Sequence, residues 1–283
     1  MADAISAPLA GLVLGGAFLH ASWNALIKGG QDKLLDTLLV ALGGALIGLV
    51  CLPFLPLPAS AAWPWLAGSV SVHCLYYYLV AQSYRHGDMS LVYPLMRGSA
   101  PMVTALLSVL VFGEQVSPGG QLGVGLLSFG ILLLAGGHWR SGADRRVLWF
   151  GCGNALVIVA YTLFDGHGAR ASGHALSYTL WLFALDVLPL LLWLGWQRGS
   201  QLWSVVWAGR RRLAVGGACS VGSYAIALWA MTQAPIALVA ALRETSVIFG
   251  LLLGAVLLRE RVTLWRGLAT AVVCLGALTI RLG

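Results

Sequence analysis

Arg97 and Arg243 each stand about seven residues inside a long apolar run. If those runs cross a bilayer, each arginine lies ~10 Å from the start of its helix, at 1.5 Å per residue. A charge there costs at least ~2.5–3.5 kcal/mol on insertion scales, so it must be paired or must act on something. Two chemistries fit. Either guanidinium can hold the carboxylate of a substrate or of a gating acid. Either can equally be neutralised within the protein by Glu244, Asp165 or the carbonyls of a helix end. Asp165 and Asp186 are the other charges inside apolar runs. Each is a candidate proton carrier, or a structural partner for an arginine or histidine. His20 and His73 add imidazoles, which titrate near neutral pH but more often serve as satisfied interhelical hydrogen bonds.

Around these charges lie polar and aromatic residues at helical spacing. His20, Asn24 and Lys28 recur every four residues beside Trp23, which makes one polar stripe on an apolar helix. His73 precedes Tyr76, Tyr77 and Tyr78. Tyr161 shares a run with Asp165, and Tyr224 shares one with Trp229. Aromatic walls with a few hydroxyls are the make-up of a small-molecule pocket. The expected cavity lining is His20, Trp23, Asn24, His73, Tyr77, Tyr78, Tyr161, Asp186, Tyr224 and Trp229. Arg97, Arg243, Glu244 and Asp165 are the expected gate or ion-pair residues. For any single aromatic, core packing explains its presence equally well. Tryptophans such as Trp63, Trp65, Trp149, Trp193, Trp196, Trp203, Trp207 and Trp265 fall at the ends of runs and read as interface anchors.

These residues are positioned by elements that only a membrane suits. The chain of 283 residues is 59% hydrophobic and 10% charged, whereas soluble domains are about 25% charged. Ten runs approach the ~20 apolar residues a spanning helix needs: 8–28, 35–56, 63–84, 90–112, 118–138, 147–167, 175–196, 213–233, 236–258 and 263–281. The links between them are short, with tight hairpins at 86–89 and 233–235 and longer polar segments at 139–146 and 197–212. Small residues four apart, at Gly11/Gly15, Gly44/Gly48, Gly119/Gly123 and Gly250/Gly254, are expected to allow close helix packing. Pro94, Pro101 and Pro189 fall inside runs, and Pro101 makes the Arg97 helix a candidate bending element. Glu114 and Glu260 are expected to cap the helices that follow them, with Ser117 and Thr263 as N-caps.

The chain repeats itself. Arg97 falls on Arg243, 146 residues on, and the same register puts Tyr78 on Tyr224, Glu114 on Glu260 and Gly130 on Gly276. The repeat divides the chain into residues 1–140 and 141–283. Of its 17 lysines and arginines, two are Arg97 and Arg243, and of those between runs only Arg170 and Arg281 avoid the odd-numbered loops. The positive-inside rule then places odd loops in the cytoplasm and both termini outside. An odd number of helices per half makes the two repeats inverted. The expected fold is an all-α membrane protein of ten transmembrane helices, as two inverted five-helix repeats around a central cavity.

Several classes are disfavoured. The net charge of +7 is scattered between apolar runs, which argues against nucleic acid. The five cysteines, Cys51, Cys74, Cys152, Cys219 and Cys274, form no CxxC pair, so no metal site, disulfide framework or cofactor is expected. No phosphate loop, HExxH or GxSxG is present, which disfavours ATP as the energy source and an intramembrane enzyme. A receptor or scaffold subunit is disfavoured by the lack of room for a soluble domain.

Two segments carry a family resemblance. FGEQVSPGGQLGVGLLSFGILLL and LRERVTLWRGLATAVVCLGALTI resemble the E-x-hydrophobic-[ST]…G…G signature that closes each half of EamA-type proteins of the drug/metabolite transporter superfamily. HASWNALIKG is similar to that family's opening tryptophan–lysine segment. The second half departs from it: at the matching depth of its first run, 138 rather than 146 residues on, Tyr161 stands for Trp23 and Gly166 for Lys28. The resemblance implies a multi-pass protein of a bacterial-type inner membrane that exports small metabolites, with the YddG-like amino-acid exporters as the nearest suggestion. The implied activity is export of small neutral or aromatic amino acids by alternating access. A sugar, nucleoside or drug is the rival substrate. The implied partners are a small-molecule substrate and membrane lipid, in a monomer, with no nucleic acid.

Overall fold

The chain is described from a computed structural model. It covers residues 5–86, 89–135, 145–257 and 263–283, with the backbone alone at 77, 78, 80–95, 135, 145–148 and 257. Among the described residues all regular structure is helical. The helices are α1 (Ala7–Lys28), α2 (Lys33–Cys51), α3 (Trp63–His86), α4 (Met89–Leu110), α5 (Pro118–Ala135) and α6 (Arg145–Ala171) in the first stretch. There follow α7 (Ala175–Arg198), α8 (Gln201–Ala208), α9 (Arg210–Gln233), α10 (Ile236–Arg243), α11 (Ser246–Leu257) and α12 (Leu264–Leu282). Among the described residues six spans are long and apolar enough to cross a membrane by length and composition: α1, α2, α7, α9, α12 and the pair α10–α11. Large apolar side chains cover the outside, with Trp196 86% and Phe54 85% exposed. A surface so apolar is at home in lipid rather than water.

Local chemistry explains the helix ends. The Asp32 carboxylate accepts from the Leu34 and Leu35 amides and caps α2. The Lys33 ammonium reaches back to the carbonyls of Lys28 and Gly30 and so satisfies the end of α1. The Ser117 hydroxyl accepts from Gly120 N at 3.0 Å, and Thr263 accepts from Arg266 N at 3.3 Å, as N-caps of α5 and α12.

Three expectations need correction. The run 236–258 is two helices, because Glu244 and Thr245 form a tight turn between α10 and α11. The polar segment 197–212 holds the short helix α8, whose Trp203 and Trp207 are 76% and 73% exposed. Glu114 does not cap α5, whose first turn Ser117 already serves. Its carboxylate instead accepts from Ile236 N at 3.0 Å and caps α10. Glu260 and the hairpin residues 87–88 lie outside the described residues.

The helices pack in related pairs. α5 lies along α12 and α2 along α7, and the pairing of α3 with α6 is matched by that of α1 with α9. Both self-matching pairs run antiparallel: Gly119 meets Gly283 while Gly130 meets Val273, and Asp32 meets Arg198 while Gly48 meets Leu180. Glycine makes these crossings possible. A Cβ on Gly130 would stand 2.8 Å from Val273 N, and one on Gly276 would stand 2.5 Å from Leu127 N. The two contacts are related by the same 146-residue register. By contrast Gly11, Gly15 and Gly250 face open space, so only the Gly44/Gly48 and Gly119/Gly123 pairs serve close packing as expected. Gly276→Ala is therefore expected to destabilise by about 1–3 kcal/mol through overpacking. Gly250→Ala, with nothing within 4 Å, is expected to be neutral or stabilising. Thermal melting of the purified protein in detergent reads the difference, and equal melting of both variants would refute the close-approach account.

Candidate functional site: a buried ionic cluster between the two halves

α4 carries Arg97 inward and the α10 terminus carries Arg243 and Glu244 to meet it. All three are buried, at 5%, 5% and 4% exposure. Arg97 Nε lies 2.8 Å from Glu244 Oε2, an ion pair that joins one half of the chain to the other. The same guanidinium faces His20 of α1, with Nη2 3.4 Å from the imidazole Nε2. An arginine can only donate, so His20 must offer a lone pair there and carry its hydrogen on Nδ1. Arg243 stacks over the Tyr224 ring of α9, its guanidinium carbon 5.0 Å from the ring centroid.

Asp165 of α6 is the second centre and is fully buried. The Tyr178 hydroxyl of α7 donates to its Oδ1 at 3.1 Å, and the Tyr224 hydroxyl donates to its Oδ2. Ser69 and His73 of α3 lie within electrostatic reach of this carboxylate, and the Ser69 Oγ is 3.2 Å from His73 Nδ1. His73 Nδ1 sits 2.9 Å from the Ser69 carbonyl, which can only accept, so that nitrogen carries the hydrogen. The His73 ring stacks on Tyr161, centroids 4.5 Å apart. Tyr161 in turn senses Arg97, Arg243, Glu244 and Asp165. The result is one connected set: a paired arginine, an arginine over an aromatic ring, and a carboxylate held by hydroxyls.

Of the residues expected from sequence, the structure brings together His20, His73, Tyr161, Asp165, Arg97, Arg243, Glu244 and Tyr224. Trp23 stands at the cluster's edge, edge-on to His20 at 4.9 Å, and the Asn24 amide is used locally on the His20 carbonyl. Asp186 is half-buried on α7, within electrostatic reach of Cys74 on α3. Trp229 is not brought in. It is 45% exposed and lines an outer depression of about 440 Å³ with Arg170, His174 and Thr232. At 100° per residue Trp229 is turned about 140° from Tyr224, so one helix face cannot hold both. The side chains of Tyr77 and Tyr78 lie outside the described residues. Trp65, read as an anchor, is half-buried against Phe164 and His167.

Sequence reading overlooked Ser69, and two straps between the halves at the ends of the bundle. Arg170 pairs with Glu114 at 2.6 Å and donates to the carbonyls of Met231 and Ala234, at 2.7 and 2.9 Å. Arg212 pairs with the buried Asp36 at 2.6 Å, and the exposed Arg198 with Asp32 at 3.3 Å. Spare acids one turn from an N-cap, such as Asp36 after Asp32, were the available signal. Among the described residues no group of three or more His, Cys, Asp or Glu is placed to hold a metal ion.

Comparison with known proteins agrees with this two-part build. A chain of known crystal structure superposes over 98% of both chains with a TM-score of 0.73 at 18% identity, a likeness of fold. No curated protein matches the chain. The sequence pattern of the EamA-like transporter family matches twice, over residues 8–136 and 145–282. A double match over nearly the whole of an apolar helical chain identifies a multi-pass membrane protein, and the chain belongs to the EamA-like transporter family.

Proposed function

We propose that the chain is a secondary transporter that exports small neutral or aromatic amino acids and related metabolites by alternating access. The observation that carries this reading is the buried ionic cluster, built jointly by α1, α3 and α4 of one half and α6, α7, α9 and α10 of the other. Charge is costly inside a membrane, and intramembrane charge at the seam of two repeats marks a substrate or ion route. The antiparallel α5/α12 and α2/α7 pairs support ten spans arranged as inverted halves, 1–140 and 141–283, with both termini outside a bacterial-type inner membrane. His20, Trp23, Asn24, His73, Tyr161 and Tyr224, with Asp186 and the tyrosines at 77 and 78, are the proposed lining. The protein acts as a monomer. Purified protein in liposomes loaded with labelled amino acids tests the reading against sugars and nucleosides. Amino-acid efflux no faster than from empty liposomes would overturn the substrate assignment.

In this reading the Glu114–Arg170 strap is a gate. It ties the α4–α5 junction to the ends of α6 and α9 and the start of α10, on the face opposite the basic loops. Opening that face must break it. Glu114→Gln keeps an oxygen for Ile236 N and removes the charge. It is expected to raise the apparent affinity for substrate added from that face by about two- to tenfold, by shifting the population toward the open form. Counterflow in oriented vesicles measures it, and an unchanged affinity counts against the gate.

A further inference from the structure

We propose that Arg243 is a carboxylate-binding subsite, formed where the second half breaks the symmetry of the first. In the first half Arg97-Gly98-Ser99-Ala100 stays within one helix, α4. In the second, the matching Arg243-Glu244-Thr245-Ser246 is the turn between α10 and α11. The turn is drawn tight, with Val247 N donating to Glu244 O at 3.0 Å and Ile248 N to Thr245 O at 2.9 Å. The Thr245 hydroxyl is spent on the Leu242 carbonyl at 2.7 Å. The Ser246 hydroxyl is 3% exposed and has no hydrogen-bond partner among the described residues.

The two arginines end in opposite situations. Arg97 is neutralised by Glu244. Arg243 senses that carboxylate but is not paired with it, and among the described residues no carboxylate lies within ion-pair distance of its guanidinium. Among the described residues its Nε has no hydrogen-bond partner, and Arg243 is 5% exposed. Its guanidinium stacks on the Tyr224 ring, whose hydroxyl is anchored on Asp165. A guanidinium is a planar fork of donors that matches a carboxylate, and a buried cation without a counter-ion is costly. An incoming carboxylate would supply the missing charge and accept from Nε, with the Ser246 hydroxyl close by in sequence and a fixed aromatic floor under the cation. The proposal rests on the carrier reading for how a ligand reaches the site. It adds that recognition is of the carboxylate end, and that the second arginine, not the first, provides it.

The test is calorimetric binding to the purified full chain. The probes are L-phenylalanine and L-phenylalaninamide, which match in shape but differ in the carboxylate charge. The wild type is expected to bind the acid at least about tenfold more tightly than the amide, the size of one charge-assisted hydrogen-bonded pair. Arg243→Gln is expected to bring the two within about twofold, a loss of roughly that same factor. If that variant does not fold, Arg243→Lys and Ser246→Ala carry the test, each expected to reduce the preference by roughly threefold or more. No preference in the wild type, or a full preference retained in the variants, overturns the subsite. Displacement of phenylalanine by equimolar inorganic phosphate also overturns it, in favour of a phosphate site. Labelled amino-acid flux in liposomes separates the two readings. Flux without carboxylate preference sinks the subsite and leaves the carrier; Arg243-dependent binding without flux does the reverse.

Discussion

Arg97→Leu is expected to cost about 3–5 kcal/mol of stability, because it leaves Glu244 as a buried charge without its partner. The pair has side-chain exposures of 7% and 6%, so water cannot replace the lost cation. The same substitution strips His20 Nε2 of its donor. Arg243 is the nearest rescue. If its guanidinium swings from the Tyr224 ring to Glu244, the loss falls to the lower end of that range. The double variant Arg97→Leu/Glu244→Leu is expected to recover most of the stability, since removing both charges also removes their desolvation. Melting of the wild type, Arg97→Leu, Glu244→Leu and the double variant in detergent closes a double-mutant cycle, and the coupling term isolates the pair. A single variant as stable as the wild type, or a double variant no better than the single, would show that the pair is not what locks the halves at mid-bundle.

Asp165→Asn is expected to uncouple transport from a proton gradient. This variant tests proton antiport against passive uniport, with Asp165, the fully buried carboxylate of the cluster, as the candidate proton carrier. The groups facing it are Ser69 and His73 from α3, Tyr178 from α7 and Tyr224 from α9, with Tyr161 on its own helix. None of these hydroxyls is a permanent cation, so the site can hold the carboxylate by hydrogen bonds or the acid without stranding an opposite charge. Asparagine keeps the shape and one acceptor oxygen, and it cannot change charge. Uptake driven by a pH gradient in proteoliposomes is expected to fall by about tenfold or more, toward the passive level, the scale of losing a positioned proton carrier. Downhill exchange of the same substrate should survive. Asp186→Asn is the contrast: the Tyr178 and Tyr224 hydroxyls are held by Asp165, and the Asp186 variant is expected to leave the gradient response intact. Gradient-driven uptake retained in Asp165→Asn would remove Asp165 from the coupling step. Loss in Asp186→Asn alone would move the proton to α7.

The straps and the cluster answer different needs. Glu114–Arg170 and Asp36–Arg212 sit at the ends of the bundle, where Arg170 and Arg212 side chains are 32% and 42% exposed. Water can reach the arginine side of each pair, whereas the Glu114 and Asp36 side chains are 8% and 5% exposed and must be rehydrated when the pair opens. Arg97–Glu244 is sealed, and it costs more to open. An alternating carrier needs both kinds of contact, reversible ones at its two faces and a stable axis between them.

The helices themselves were legible in the sequence, because each must hide its backbone polar groups and present an apolar surface to lipid. Periodicity therefore marked α1, α7 and α9 to within a few residues. So was the repeat, since Gly130 and Gly276 kept their register for a packing reason that the structure makes plain. The break at Glu244–Thr245 was not legible. No proline or glycine marks a turn at these four polar residues, 243–246, in the middle of an apolar run, and there Glu244 meets Arg97 of another helix.

Residue type and spacing alone thus determined that Arg97, Arg243, Asp165 and Glu244 had to be buried and answered for, since lipid tolerates no idle charge. They did not determine who answers whom. Arg97 took Glu244 while Arg243 was left to an aromatic ring, Asp165 gathered hydroxyls from two other helices, and Trp229 turned outward. Those assignments depend on distances of 3 to 5 Å between segments dozens of residues apart. Such distances are set by helix crossings, and those crossings are set in turn by where glycine lets two backbones touch.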